Sequence, residues 1–264
     1  MKHIPALYRL ALCGLLTTSA LAQSGPTPKT YTYLIYHKLA PGLTIQDALS
    51  VEREWRAINQ AAVDEGNMIG WHMMVKQMSS NPNTSEYDYV TCIVSREMAI
   101  KGASPAAMSK LYGDSVQTRM ATLQKRDRQT APVIKTEIWE NVETLFSPAF
   151  RIDKTPTVVV DFLRLRDPQA DWRGAIGPMK QAGARQVEQN RLGGWGFSAL
   201  VVPNGSEKNY GFAVARPVTN LTVLAGVADQ KPTDGQKLMT RTFEVVRQEV
   251  FRFQEYTTRP TVTK

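Results

Sequence analysis

The chain has 264 residues, with 32 Lys and Arg against 24 Asp and Glu and a formal net charge of +8. Its basic residues are spread along the chain rather than gathered into a patch, so we expect no nucleic-acid partner. Beyond the N-terminus, no segment approaches the roughly 20 consecutive apolar residues that a membrane-spanning helix needs, so we also expect no membrane partner.

The N-terminus has the three parts of a secretory signal. Lys2 and Arg9 supply positive charge, an apolar stretch follows at residues 10–16, and Ala20-Leu21-Ala22 is a small-x-small cleavage site. We predict that residues 1–22 are a cleaved signal peptide and that the protein is exported, either to a periplasm or out of the cell. Cleavage leaves Cys92 as the single cysteine, so a hydrophobic core must hold the exported protein together without a disulfide.

The segment 23–143 is predicted to contain strand, helix, two strands, helix and strand in that order. Apolar residues between Val51 and Ala62 recur at helical spacing, and alternating apolar runs bounded by turn residues indicate the strands. The predicted strands are Thr30–Leu39, Gly70–Gln77, Tyr87–Ser95 and Val133–Asn141, and the predicted helices are Ile45–Glu65 and Pro105–Arg128.

A linker is predicted at residues 144–156, which contain Pro148 and Pro156. The segment 157–264 then repeats the same order of elements. Its predicted strands are Thr157–Arg166, Gly194–Pro203, Asn209–Arg216 and Val250–Thr258, and its predicted helices are Trp172–Asn190 and Asp234–Glu249.

The two segments also match each other in sequence at a spacing of about 124 residues, which indicates an internal repeat. The matching pairs are Tyr33–His37 with Val158–Phe162, Gly70-Trp71 with Gly194-Trp195, and Tyr87–Val90 with Tyr210–Ala213. A β-α-β-β-α-β order is that of the split, ferredoxin-like motif, in which helices cover one face of an antiparallel sheet.

In element order, duplication and the paired Gly-Trp, the chain resembles the dimeric α/β-barrel superfamily. The resemblance implies an α+β fold of two tandem ferredoxin-like units, 23–143 and 157–264, packed sheet to sheet as a pseudo-dimeric α/β barrel. Members of that superfamily include cofactor-free monooxygenases, haem-binding enzymes and proteins without known activity, so the resemblance leaves the function open.

Alternation along the strands predicts which side chains face the helices and which face the barrel interior. The more uniformly apolar face is assigned to the helices, and the mixed face to the interior. The predicted helix-facing residues are Tyr33, Ile35, His37, Val158, Val160 and Phe162. The predicted interior residues are Thr32, Leu34, Tyr36, Thr157, Val159 and Asp161.

The polar and small interior positions form the candidate site. His72 and Tyr36 are the candidate catalytic residues, because a neutral imidazole can act as a base and a phenol can position a hydroxylated substrate. The candidate ligand-binding residues are Asp161, Ser198, Met74 and Cys92. The alternative is that these side chains are hydrogen-bonded interior groups without a catalytic role.

Absent motifs narrow the functions further. The sequence has no His-Glu-x-x-His pair, phosphate-binding loop or Gly-x-Ser-x-Gly elbow. Only His37 and His72 remain after signal cleavage, and haem-binding relatives place their axial histidine on a helix, where this chain has none. We therefore expect no metal and no cofactor.

Three functions stay open. The first is an exported soluble protein that binds a small, largely apolar molecule between its two sheets. The second is a cofactor-independent monooxygenase-like enzyme acting on a phenolic or enolisable substrate. The third is a structural or interaction protein without a ligand cavity. Whether two chains form a homodimer is also left open.

Overall fold

A computed structural model describes residues 29–81, 83, 86–205, 208–225 and 231–258. The predicted signal peptide, residues 1–22, lies outside this range. The strands are β1 Thr30–His37, β2 Gly70–Ser79, β3 Tyr89–Ser95, β4 Val133–Phe146, β5 Thr157–Leu165, β6 Gly194–Val202, β7 Phe212–Val218 and β8 Phe243–Tyr256. The helices are α1 Ile45–Asp64, α2 Pro105–Tyr112, α3 Val116–Thr130, α4 Trp172–Glu188 and α5 Asp234–Thr242.

The eight strands form one closed antiparallel barrel in the order β1-β3-β2-β8-β5-β7-β6-β4. The first four strands are therefore neighbours in the order β4-β1-β3-β2, and the last four in the order β8-β5-β7-β6. Two seams join these groups: β2 pairs with β8, as in Val75 opposite Arg252, and β4 pairs with β6, as in Glu140 opposite Ala199. The α+β class and a barrel sheet, both expected from the sequence, are confirmed.

Helices cover the outside of the barrel. Helix α1 begins with a capping box between Thr44 and Asp47, which satisfies backbone donors at its first turn. Its inner side packs on Trp71 and Met73 of β2. Helix α4 packs in the same way on Trp195 and Phe197 of β6. The helix-facing residues of both groups of strands therefore form separate apolar layers outside the barrel.

The barrel interior is filled by side chains, as the diameter of an eight-stranded barrel allows. Its buried members are largely aromatic and aliphatic. They are Tyr36, Met74, Tyr87, Val90, Cys92, Trp139, Val158, Val160, Phe162, Leu200, Tyr210, Ala213 and Phe251.

The predicted facing of β5 is wrong. Val158, Val160 and Phe162 lie in the barrel interior, and Asp161 lies on the outer, helix-covered side. The error comes from the register of the repeat. Tyr36 packs on Tyr87 at 4.8 Å between ring centroids and Phe162 packs on Tyr210 at 4.9 Å, so Phe162 occupies the place of Tyr36 and not that of His37. A slip of one residue turns every side chain of a strand to the other face.

Three predicted boundaries also need correction. The helix expected over Pro105–Arg128 is interrupted at Gly113, which has a positive φ of 57°. The helix expected over Asp234–Glu249 ends at Thr242, because the following residues pair with β5 and β2 as strand β8. Strand β4 extends to Phe146, opposite Gly194, and so takes the first three residues of the predicted linker 144–156.

Among the described residues, no helix has both the length and the apolar character needed to cross a membrane.

Helix α4 approaches β6 closely at Gly183. A Cβ atom at this position would lie 2.6 Å from Cγ of Trp195. We expect Gly183→Ala to lower the free energy of unfolding by about 1–3 kcal/mol, because either the ring or the helix must move. Gly102→Ala is the control, since a Cβ there meets no atom within 4 Å. Urea unfolding of both variants measures the difference, and equal stabilities would contradict this packing.

Candidate functional site

A cleft of about 610 Å³ opens at one end of the barrel. It lies where β4 and β8 begin, beside the turn after β2 and the loops that lead into β3 and β7. Its lining is mostly polar or charged. The lining residues are Ser80, Asn81, Glu86, Lys135, Arg164, Lys208, Asn209, Tyr210, Glu244, Val245, Val246 and Arg247.

Directly behind this lining lies Glu137, whose side chain is 0 % exposed. Tyr36 Oη and Tyr210 Oη each donate a hydrogen bond of 2.8 Å to its carboxylate. Trp139 Nε1 donates a longer one, at 3.3 Å. Lys208 Nζ donates to Oε1, and Lys135 Nζ lies 3.5 Å from the same oxygen. Five polar groups from three parts of the chain, namely β1, β4 and the loop before β7, thus surround one carboxylate.

The ionised form of Glu137 is stabilised by these neighbours. Burial alone raises the pKa of Glu137, but the charge of Lys135 and the hydrogen bonds from Lys208, Tyr210 and Tyr36 outweigh it and lower the pKa below its ordinary value. Burial, together with the charge of the same carboxylate, raises the pKa of Tyr36 and of Tyr210. At neutral pH the site therefore holds a carboxylate and two neutral phenols.

The lysines are held between Glu137 and the cleft. Lys135 Nζ lies 4.1 Å above the ring of Tyr36 and donates to Tyr210 Oη at 3.1 Å. Both Lys135 and Lys208 line the cleft, with side chains 23 % and 20 % exposed. Their remaining donors are therefore accessible to a molecule in the cleft.

A second buried carboxylate, Glu249 on β8, stands at the same end of the barrel. Tyr87 Oη donates a hydrogen bond to it, and Ser79 Oγ donates another at 3.1 Å. Arg247 Nη1 lies 3.7 Å from Glu249 Oε1 and 3.1 Å from Glu86 Oε2. Arg247 is part of the cleft lining, so it too is a cation held between carboxylates and the cleft.

Of the candidate catalytic residues, the structure brings only Tyr36 to this site. His72 packs edge-on against Phe253, with the ring centroids 5.2 Å apart. It precedes the cleft residue Ser80 by eight positions, about 26 Å along an extended chain. Burial lowers the pKa of His72 to about 4, so its imidazole is neutral at neutral pH.

The four candidate ligand-binding residues lie in different places. Met74 and Cys92 are part of the filled interior, where burial raises the pKa of the Cys92 thiol. Ser198 Oγ donates to Asn141 Oδ1 at 3.0 Å. Asp161 does not face the interior as predicted. On the outer side it accepts hydrogen bonds from Arg216 and, at 2.6 Å, from Gln248.

Sequence reasoning missed Glu137, Lys135, Lys208 and Arg247. A signal was present on the predicted strand β4. Lys135, Glu137 and Asn141 are separated by even numbers of residues, so these polar side chains share one face of the strand. That period identifies a polar side of the strand. It does not reveal partners as distant in sequence as Lys208, which is 71 residues from Glu137.

Within the described part of the chain, the cleft lining offers no histidine or cysteine that could bind a soft metal. A group with metal-ligand geometry, formed by His37, Glu52 and Asp127, lies elsewhere, beneath α1 and α3.

No known family profile and no curated protein matches this sequence. Solved structures do match its fold. A candidate monooxygenase from Lactobacillus acidophilus NCFM aligns over 88% of this chain and 97% of its own, with a TM-score of 0.53 and 9% identity. A candidate monooxygenase from Fusobacterium nucleatum aligns over 87% and 94%, with a TM-score of 0.53 and 6% identity. An anthrone oxidase-like protein aligns over 89% and 94%, with a TM-score of 0.48 and 13% identity.

The fold is similar to that of dimeric α/β-barrel proteins. At these identities the similarity concerns the fold alone, and function must be argued from the site.

The Glu137 carboxylate should contribute strongly to the stability of the folded protein. We expect Glu137→Ala to lower the free energy of unfolding by about 3–5 kcal/mol, since Lys208, Tyr36 and Tyr210 lose a buried partner. Glu140→Ala on the same strand is the control. Glu140 pairs with the exposed Lys29 at 3.0 Å, and a surface pair contributes about 1 kcal/mol or less. Chemical denaturation of both variants tests this, and a loss below about 1 kcal/mol for Glu137→Ala would contradict the assigned role.

Proposed function

We propose that this protein binds a small molecule with an acidic group, a carboxylate or an ionised phenol or enol, in the cleft at the barrel end. The observation that carries the proposal is the display of Lys135, Lys208 and Arg247 to one cleft while buried carboxylates hold them from behind. Charge-assisted hydrogen bonds from such fixed donors are among the stronger polar contacts a site can make. A volume of about 610 Å³ is in the usual range for small-molecule sites.

The cleft charges support an acidic ligand of modest charge. Four cations line the cleft, namely Lys135, Arg164, Lys208 and Arg247, against the carboxylates of Glu86 and Glu244. Glu137 and Glu249 balance the excess, but both are 0–1 % exposed and cannot contact a ligand. The accessible donors are cationic while the site as a whole is nearly neutral.

The filled interior bears on the three functions that the sequence left open. A largely apolar ligand between the sheets would have to displace buried side chains such as Trp139 and Phe162. We therefore assign the ligand to the polar cleft at the end of the barrel and not to the space between the sheets. A purely structural role has less support, because such a role does not require cations displayed in a cleft.

We also propose that the barrel arose by tandem duplication of a ferredoxin-like unit. Tyr210, from the second segment, donates to Glu137 in the first, and Tyr87, from the first, donates to Glu249 in the second. A cation stands two residues before each glutamate. The equal strand orders of the two groups also support this inference.

Export through the signal peptide at residues 1–22 remains part of the proposal, as does a homodimer. Export is argued from the sequence pattern of residues 1–22 alone, and the homodimer from the fold similarity to dimeric α/β-barrel proteins.

The binding proposal is tested by isothermal titration with pairs of aromatic carboxylic acids and their neutral amides. We expect the acids to bind more tightly than the amides, and Lys208→Gln to weaken acid binding about tenfold or more, as expected for one lost charge-assisted hydrogen bond. Lys180→Gln is the matched control, because Lys180 pairs with Glu143 at 2.7 Å outside the cleft. Equal affinities for acids and amides, or equal losses in both variants, would contradict the proposal.

A second candidate function is that of a monooxygenase-like enzyme acting on a phenolic or enolisable substrate. Two structural neighbours are named as candidate monooxygenases, and ionised phenols and enols belong to the ligand class that suits the cleft. Tyr36 lies one layer beneath the cleft through its bond to Glu137, whereas His72 lies far along β2.

Oxygen uptake with a panel of phenolic and enolisable compounds tests this second function. If the enzyme is of this type, Tyr36→Phe should lower turnover by altering the Glu137 cluster, and His72→Ala should change it little. Because Tyr36 donates to Glu137, which holds the cleft lysines, Tyr36→Phe should also raise the KM for the substrate, and steady-state kinetics measures both KM and kcat. If His72→Ala abolishes turnover and Tyr36→Phe does not, the active site is in the barrel interior and not at the cleft. If no compound that binds in the cleft supports oxygen uptake, the enzyme function is wrong and ligand binding is the function.

A further inference from the structure

Three potential metal ligands meet on the outer side of the barrel, away from the cleft. His37 ends β1, Glu52 lies on α1 and Asp127 on α3. One ligand atom of each lies within 4.8 Å of those of the other two. His37 and Glu52 are only 4 % and 1 % exposed, and Asp127 is half-buried, so the group lies between the two helices and the sheet with one side nearer to solvent.

The surrounding side chains hold these ligands in place. The His37 ring is hydrogen-bonded to the Ala131 carbonyl at 3.1 Å and to Thr91 Oγ1 at 3.0 Å, and it stacks on Tyr89 at 4.5 Å between ring centroids. Tyr89 Oη in turn donates to Glu52 Oε1 at 2.8 Å. Ligating histidines are commonly oriented by such contacts to their other ring nitrogen. A metal would replace one of the two hydrogen bonds of the ring.

The charge of Arg128 acts on Asp127, but the three ligands have no cation in direct contact in the described part of the chain. Among the described residues, no Lys or Arg forms an ion pair with Glu52 or Asp127. Trp55 donates a hydrogen bond to the Asp127 carboxylate, but the buried oxygen Oδ1 accepts none from the described part of the chain. Two carboxyl groups and an imidazole therefore lie together with an unused acceptor atom.

Burial shifts the pKa of all three groups toward their uncharged forms. Burial raises the pKa of Glu52 to about 8, although its bond to Tyr89 acts in the opposite direction and Asp127 adds to the rise. Burial also raises the pKa of Asp127 and lowers that of His37 to about 4.

From this geometry we propose that His37, Glu52 and Asp127 form a binding site for a divalent transition metal ion of the Zn²⁺ class. One imidazole nitrogen and two carboxylate oxygens are a ligand set that such ions accept. The ligands come from β1, α1 and α3, so the ion joins both helices to the barrel and acts in stability. The site is separate from the cleft, and the inference does not depend on the proposed function.

The experiment is a titration of the full-length protein with Zn²⁺ alone, after treatment with a chelator. We expect one Zn²⁺ per chain by calorimetry and by metal analysis after dialysis, and a rise in Tm because the ion binds the folded state. Glu52→Gln should abolish both effects. Its amide oxygen can still accept the hydrogen bond from Tyr89, and Gln has the size of Glu, so the metal-free fold is preserved.

Glu97→Gln is the control for binding at the surface, because Glu97 is 57 % exposed and pairs only with Lys101 in the described chain. It should bind Zn²⁺ as the unaltered protein does. Asp127→Asn provides an independent test if Glu52→Gln fails to fold. Absence of Zn²⁺ binding to the unaltered protein overturns the proposal. Equal binding by Glu97→Gln and both ligand variants also overturns it, since the ion would then be held elsewhere.

Discussion

A carboxylate without access to water constrains much of this barrel. An ionised group loses several kcal/mol of hydration when it is buried, and only close donors and opposite charges can offset that loss. Glu137 obtains them from Tyr36 on β1, Trp139 on β4, and Lys208 and Tyr210 before β7. The folded arrangement of these segments is thus coupled to a single charge. A fold with the same strands but another closure would leave that charge without partners.

The cleft is a consequence of this arrangement. Cations that neutralise a buried carboxylate must approach it from somewhere, and here Lys135 and Lys208 approach it from the barrel end. Both lysines then line the opening with partly exposed side chains. Arg247 does the same for Glu249. The barrel end is polar because the charges beneath it need neutralising, and this polarity selects the class of molecule that can enter.

Much of the architecture could be predicted from sequence because it is local. The alternation of apolar and polar residues identified the strands, and apolar residues at helical spacing identified α1. The order of these elements indicated an antiparallel sheet with helices on one face. The predictions failed where pairing between strands distant in sequence determines the secondary structure or the facing of a residue. Residues after Thr242 have helix-forming Glu, Arg and Gln, yet they pair with β5 and β2 as a strand. The facing of Asp161 depended on a repeat register that was wrong by one residue, and one residue is enough to invert a strand.

The candidate site was less accessible to sequence reasoning than the fold. An isolated histidine in an apolar strand attracts attention, but the structure keeps His72 in a packed environment beside Phe253. The groups that meet at the cleft come from β4, β5, β8 and two loops. Each of them alone resembles an ordinary surface lysine or arginine. Only closure of the barrel shows that their counter-ions are buried behind them.

The two seams of the barrel, β2 with β8 and β4 with β6, join parts of one continuous chain. When two separate chains form such seams, their association weakens as the protein becomes more dilute, and stability follows subunit concentration. Here each seam closes at an effective concentration set by the connecting chain between β4 and β5. The barrel therefore keeps its closure at any dilution, and the cleft that spans both groups of strands is retained with it.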